Sequence, residues 1–177
     1  KFSNAPLVSE VISCEDDYKN AIENYLEPFL NHFVVQSTGE AWEALQLLNN
    51  SSKGRAHFFV LENLKNVKTP SGNSIPGFKP ALSLTDFDGE YTKLFEHLLG
   101  NVYILDNSED INNIDSSAIE GGYIILSKTG RFLRQRYTIS GGSLGMGDGK
   151  RTGKQKNLQQ LSEQIKVHQA AIEKLQE

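Results

Sequence analysis

The run Tyr91-Thr92-Lys93-Leu94-Phe95-Glu96-His97-Leu98-Leu99-Gly100-Asn101-Val102-Tyr103-Ile104-Leu105-Asp106 decides the fold. Tyr91, Leu94, Phe95, Leu98 and Leu99 recur at the three- and four-residue steps that line up one face of a helix, and Gly100 stops it. Val102, Tyr103, Ile104 and Leu105 follow without a polar interruption and end at Asp106, which is the pattern of a buried strand. A helix that runs directly into a buried strand is the unit of mixed α/β packing.

Upstream the same alternation appears in a weaker form. Tyr18, Ala21, Ile22, Tyr25, Leu26, Phe29 and Leu30 fall at helical spacing, and Pro28 predicts a break near Glu27. Phe33-Val34-Val35 reads as a short strand. A helix is expected from about Gly39 to Leu48, with Ala41, Trp42, Leu45 and Leu48 sharing a face. Arg55 to Leu61 carries Phe58, Phe59 and Val60 as a further strand, with His57 as an alternating strand residue. Residues 1–64 therefore form a first α/β lobe. From Lys65 to Pro80 the chain carries Pro70, Pro76, Pro80, Gly72 and Gly77 among polar residues and reads as a linker.

A second α/β lobe spans residues 81–153. Tyr123 to Leu126 and Phe132 to Ile139 are its further predicted strands, the latter placing Arg134 and Arg136 on one face. Nine of the fifteen glycines lie between Gly121 and Gly153, most densely at Gly141, Gly142, Gly145, Gly147 and Gly149. Such backbone permits positive φ or close approach by another chain or a ligand. Beyond Lys154, Leu158, Leu161, Ile165, His168, Ile172 and Leu175 alternate at steps of three and four, so 154–177 reads as the start of a coiled-coil arm.

The chain has 177 residues, 38% of them hydrophobic and 23% charged, with a net charge of −4. A chain of this length and make-up buries a core without disulfide or metal staples. Cys14 stands alone, which excludes a disulfide framework and a Cys-rich zinc site and favours a reducing compartment, by default the cytoplasm. No apolar run reaches the length of a membrane span, and the first residues lack the apolar stretch of a signal peptide, so no membrane partner is expected. A first residue that is lysine and a last segment that is an uncapped helix pattern suggest a piece cut from a longer protein.

Charge is sharply segregated. Residues 1–127 hold 8 Lys+Arg against 18 Asp+Glu, a balance of −10. Residues 128–156 hold Lys128, Arg131, Arg134, Arg136, Lys150, Arg151, Lys154 and Lys156 against Asp148 alone, a balance of +7. An anionic partner is one reading, and a basic surface that complements the acidic half of the same chain is the other.

Familiar catalytic spacings are missing. Gly149-Lys150 and Gly153-Lys154 are followed by Arg151 and Gln155, and neither has the preceding glycine of a phosphate loop. Gly145, Gly147 and Gly149 give G-x-G-x-G, not the dinucleotide fingerprint. His32, His57, His97 and His168 lack the short pairing of local metal motifs. Asp16-Asp17 and Asp86/Asp88 read as helix starts or turns. No catalytic residue, metal ligand or cofactor site is expected.

Taken in order, Tyr18-x-x-Ala21-Ile22-Glu23, Phe33-Val34-Val35, Gly54-Arg55-Ala56-x-Phe58, the Pro/Gly linker, Leu98-Leu99-Gly100-x-Val102, Gly141-Gly142-Ser143 and the exit into heptads resemble the hinge domain of SMC proteins, the chromosome-organising ATPases. The likeness runs from about Leu7 to the end. It implies a mixed α/β, two-lobed fold with a coiled-coil stub. It also implies a homodimer with a second copy of the chain, Gly141, Gly142, Ser143, Gly145 and Gly147 at the interface.

The sequence departs from the family's usual second glycine pair, having Gly145-Met146-Gly147-Asp148-Gly149 in its place. In bacterial-type relatives basic residues at the hinge/arm junction bind DNA. Lys150, Arg151, Lys154 and Lys156 stand at the matching junction, and Arg134 and Arg136 join them as candidates. ATP and Mg would belong to the parent's head domains, where kleisin-type partners would also bind. The parent would be nucleoid-associated.

Two other readings stay open. One is a small α/β domain holding a phosphorylated small molecule through the Gly-rich basic loop. The other is a structural adaptor that recruits protein through the coil.

Overall fold

A computed structural model describes residues 5–51, 54–68, 75–106, 114, 121–142, 152–153, 158, 161–166 and 168–169. A four-residue helix, α1 (Val8–Val11), opens the fold; the Glu10 carboxylate accepts the Leu7 N–H at 2.8 Å and closes its first turn. Strand β1 (Ser13–Cys14) follows, and a single 3₁₀ turn at Asp16–Tyr18 leads into α2 (Lys19–Leu26). Pro28 ends that helix where expected, with Glu27 as its C-cap. Ala21, Ile22 and Leu26 are buried beneath it.

Next come β2 (Phe33–Val35), α3 (Thr38–Ser51) and β3 (Phe58–Val60). β2 and β3 pair in parallel, and α3 is the crossover that parallel pairing requires. The buried face of α3 is built on Ala41 and Ala44, with Leu45 and Leu48 half-buried. Trp42 does not share it: its side chain is 62% exposed, because the small alanines bring the helix down on its other side. His57 precedes β3 and stacks on His32, ring centroids 4.7 Å apart.

The last three residues of the predicted linker are a strand, β4 (Phe78–Pro80), a second departure from expectation. After β5 (Thr85–Asp86), which pairs antiparallel with β1, come α4 (Thr92–Leu99) and β6 (Val102–Leu105), as the opening stretch predicts. Gly100 caps α4 in right-handed helical geometry, φ −63°, so its freedom to adopt positive φ is not what ends the helix. β7 (Ile124–Ser127), β8 (Phe132–Arg134) and β9 (Ile139–Gly141) complete a five-stranded sheet in the order β4-β6-β7-β8-β9. Only β6 and β7 are parallel; the other pairs are antiparallel.

Phe132 to Ile139 is thus a hairpin, not one strand. The Gln135 N–H donates to the Thr138 carbonyl at 2.8 Å and the chain reverses over Arg136 and Tyr137. Arg134 therefore lies in β8 opposite Ile139, while Arg136 stands in the turn, and the common face expected for the two arginines does not exist.

Both faces of β6 are buried, which explains its unbroken apolar run. Val102 and Ile104 join Leu94, Phe95, Leu99, Ile22 and Leu26 in the main core, while Tyr103 and Leu105 pack with Ile125 and Ile114 on the other face. The main core draws on residues from both sides of the linker, so the two halves share one apolar interior.

Candidate functional site

The two edges of the five-stranded sheet are treated oppositely. At one edge β4 carries exposed Lys79 and Pro80, and proline has no N–H to offer a further strand. At the other edge β9 is exposed at all three residues, with Ile139 72% accessible and Tyr137 beside it 85% accessible. Antiparallel ladders alternate bonded and non-bonded pairs. Gln135 bonds Thr138 and the Gly142 N–H donates to the Arg131 carbonyl at 3.0 Å, so the intervening Ile139 and Gly141 turn their N–H and C=O groups toward the open side. Among the described residues nothing pairs with this edge, and an apolar, unblocked edge is a template for another strand.

The two glycines here have different jobs. A Cβ on Gly141 would stand 2.6 Å from Cδ1 of Phe132 and 2.8 Å from the Arg131 carbonyl oxygen, so Gly141 is required by the sheet itself. A Cβ on Gly142 meets nothing within 4 Å. Sequence reasoning grouped the pair, and only their neighbours separate them. Ser143, Gly145 and Gly147, together with Lys150, Arg151, Lys154 and Lys156, lie outside the described residues. Arg136 is exposed with its guanidinium 5.2 Å from the Tyr137 ring centroid, and Arg134 is half-buried.

A second cluster sits where the parallel strands end. The Tyr18 hydroxyl donates to Asp106 at 2.9 Å and accepts a hydrogen bond from Lys79, whose ammonium lies 3.1 Å from Asp106. Lys79 and Lys128 each stand 4.9 Å from the Tyr18 ring centroid. The Tyr18 hydrogen bond first, then Lys79, holds the Asp106 carboxyl below its ordinary range, and hydrogen bonds to Tyr18 and then Asp106 hold Lys79 above its own. With Lys128 bridged to Asp17 at 3.5 Å, the four charges balance. This is a structural tie, not an anion site.

Among the described residues no group of three or more His, Cys, Asp or Glu side chains converges to hold a metal, and no helix is long and apolar enough to cross a membrane. Among the described residues, two cavities of about 490 Å³ lie against α3, one lined by Val34, Ala44 and Tyr91, the other by Trp42, Leu45, Arg55 and His57. Neither is lined by Gly141 or Gly142.

The fold and its edges define the class: a mixed α/β domain with one sheet edge blocked and, among the described residues, the other bare. Within that class the chain belongs to the SMC hinge family, because the family described as SMC proteins Flexible Hinge Domain matches residues 3–114. The chain is 32% identical over 143 residues to the chromosome partition protein Smc of Mesomycoplasma hyorhinis, a match covering 77% of this chain and 14% of that protein. It is 25% identical to the same protein of Bacillus subtilis, over 89% of this chain and 14% of that one. The chain thus spans a small part of these relatives.

Among solved structures, it is similar to the asymmetric dimer of the Geobacillus stearothermophilus SMC hinge domain, with TM-score 0.74 and 24% identity over 94% of this chain and 68% of that one. It is also similar to the Pyrococcus furiosus SMC hinge domain, with TM-score 0.61 and 23% identity over 77% of this chain and 72% of that one. At these identities the likeness is one of fold.

Proposed function

We propose that this chain is the homodimerisation hinge of an SMC-type chromosome partition protein, pairing with a second copy through the bare edge of β9. The observation that carries the reading is the asymmetry of the sheet. Pro80 and Lys79 block one edge, while Ile139 and Gly141 leave the other unsatisfied beside exposed Tyr137. A monomer gains nothing from such an edge and risks aggregation by it; a two-fold dimer closes it. Gly142, with open space around it, lets the partner's backbone come close.

The basic stretch 128–156, with Lys150, Arg151, Lys154 and Lys156 at the root of the C-terminal helix, supports a second role in salt-sensitive DNA binding without sequence preference. The parent protein would supply ATP hydrolysis, with ATP and Mg at its heads, and kleisin-type partners there. Its place would be on the nucleoid in the cytoplasm. Neither of the two cavities described against α3 is lined by Gly141 or Gly142, so these cavities do not support the phosphate-ligand alternative.

Sedimentation equilibrium across a wide dilution range tests the proposal. A mass of two chains that persists to nanomolar concentration is expected. A stable monomer overturns it.

A further inference from the structure

We propose that Glu23 and Thr152 form a latch that fastens the root of the C-terminal helix to the core and opens locally while the core stays folded. The proposal stands whether or not the chain pairs through β9. Glu23 is 2% exposed and Thr152 1% exposed. One carboxylate oxygen, Oε1 of Glu23, accepts both the Thr152 N–H at 2.7 Å and the Thr152 hydroxyl at 2.6 Å. Hydrogen bonds to a carboxyl oxygen at these lengths are short, and a carboxyl group this buried needs such partners. The next residue adds one more tie: the Gly153 N–H donates to the Ile12 carbonyl at 3.1 Å, and Gly153 adopts φ +71°, a conformation that suits glycine.

Three features make this an attachment point and not ordinary packing. The ties join residues 129 positions apart in sequence. They are polar: both Thr152 bonds end on one carboxylate oxygen. Downstream, every described residue of the helix is exposed, Leu158, Leu161 and Ile165 included, so Thr152–Gly153 is the last hold of the chain on the core among the described residues. A segment held by few contacts opens at lower free energy than the whole domain unfolds. Thr152 also stands in sequence between Lys150-Arg151 and Lys154.

Cys14, the sole cysteine, reports on the latch without engineering. Burial pushes its thiol pKa up to about 12, and the nearby Thr152 side chain offsets part of the rise. A closed latch therefore keeps the half-buried Cys14 protonated and slow to react. The test is the rate of maleimide labelling of the 177-residue chain at several urea concentrations below the unfolding transition. Thr152→Val, which keeps shape and removes the hydroxyl, should label on the order of tenfold faster, with weak urea dependence and a nearly unchanged unfolding midpoint. Thr152→Ser should restore the original rate. Glu23→Gln, which keeps an acceptor oxygen and loses the charge, should fall between. Wild-type rates in both Thr152→Val and Glu23→Gln overturn the latch, as does labelling that rises with urea as steeply as global unfolding.

Discussion

Phe132 lies so close over Gly141 that a methyl group in place of the glycine hydrogen would come within 2.6 Å of its ring. The two residues face each other across β8 and β9, and as a non-bonded antiparallel pair they bring their α-carbons to the shorter of the two ladder spacings. Gly141 thus completes the edge that Gly142, one residue on, leaves open to the outside. An edge can be bare only if the strand that forms it is held, and this contact holds it.

Substitutions at the two positions should therefore part company. Gly141→Ala forces Phe132 or the β8 backbone to move, and overpacking of this kind costs about 1–3 kcal/mol of stability, visible as a lower denaturation midpoint. Gly142→Leu should leave the midpoint of dissociated chains within about 0.5 kcal/mol, as surface substitutions do, yet shift the dimer toward monomer in sedimentation. If Gly142→Leu leaves self-association intact, β9 is not the pairing edge.

The Tyr18, Lys79 and Asp106 tie should leave a mark in acid. Asp106 is held below its ordinary pKa, so its contribution to stability is present above the unfolded carboxyl value and is lost as pH falls through the folded one. Chemical denaturation of the wild type and Asp106→Asn should show a difference at neutral pH that shrinks as pH falls through the lowered folded-state value of the carboxyl. Lys79, held above its ordinary value, works in the opposite sense: its share is full below the unfolded lysine value and is lost as pH rises through the folded one. A pH-independent difference between wild type and variant would remove the tie from the account.

The basic segment should betray itself through salt. Replacing Lys150, Arg151 and Lys154 with glutamine should flatten the plot of log affinity for duplex DNA against log salt by about 0.9 for each phosphate no longer neutralised, and equally for unrelated sequences. An unchanged slope moves the DNA-binding surface elsewhere on the chain.

How much of this was legible in the sequence depends on the range of the interactions. The α4-to-β6 stretch was readable because its periodicity is local and its strand is buried on both faces. The β8–β9 hairpin was not, since Gln135-Arg136-Tyr137-Thr138 offers none of the glycine, asparagine or proline that marks tight turns, and Leu133, Tyr137 and Ile139 alternate as one strand would. Trp42 was misplaced because apolar spacing cannot tell which of two adjacent stripes on α3 a neighbouring strand will cover. β4 was hidden by Pro80, a linker residue by composition and an edge residue in fact. The glycine pair was found but not divided, and the Glu23–Thr152 ties, spanning 129 positions, leave no local pattern at all.

The helix after Gly153 gives the last expectation. Leu158, Leu161 and Ile165 recur at steps of three and four and are each more than half exposed, so the stripe is formed but faces solvent in a single chain. Short helices without a packed face are marginal in water. Leu161→Glu with Ile165→Glu should therefore change the stability of the dissociated chain by less than about 0.5 kcal/mol, while lowering helix content seen by circular dichroism only in the C-terminal segment. If the double substitution instead weakens self-association as strongly as Gly142→Leu, the stripe is packed in the dimer, and the helix and the β9 edge hold two copies together jointly.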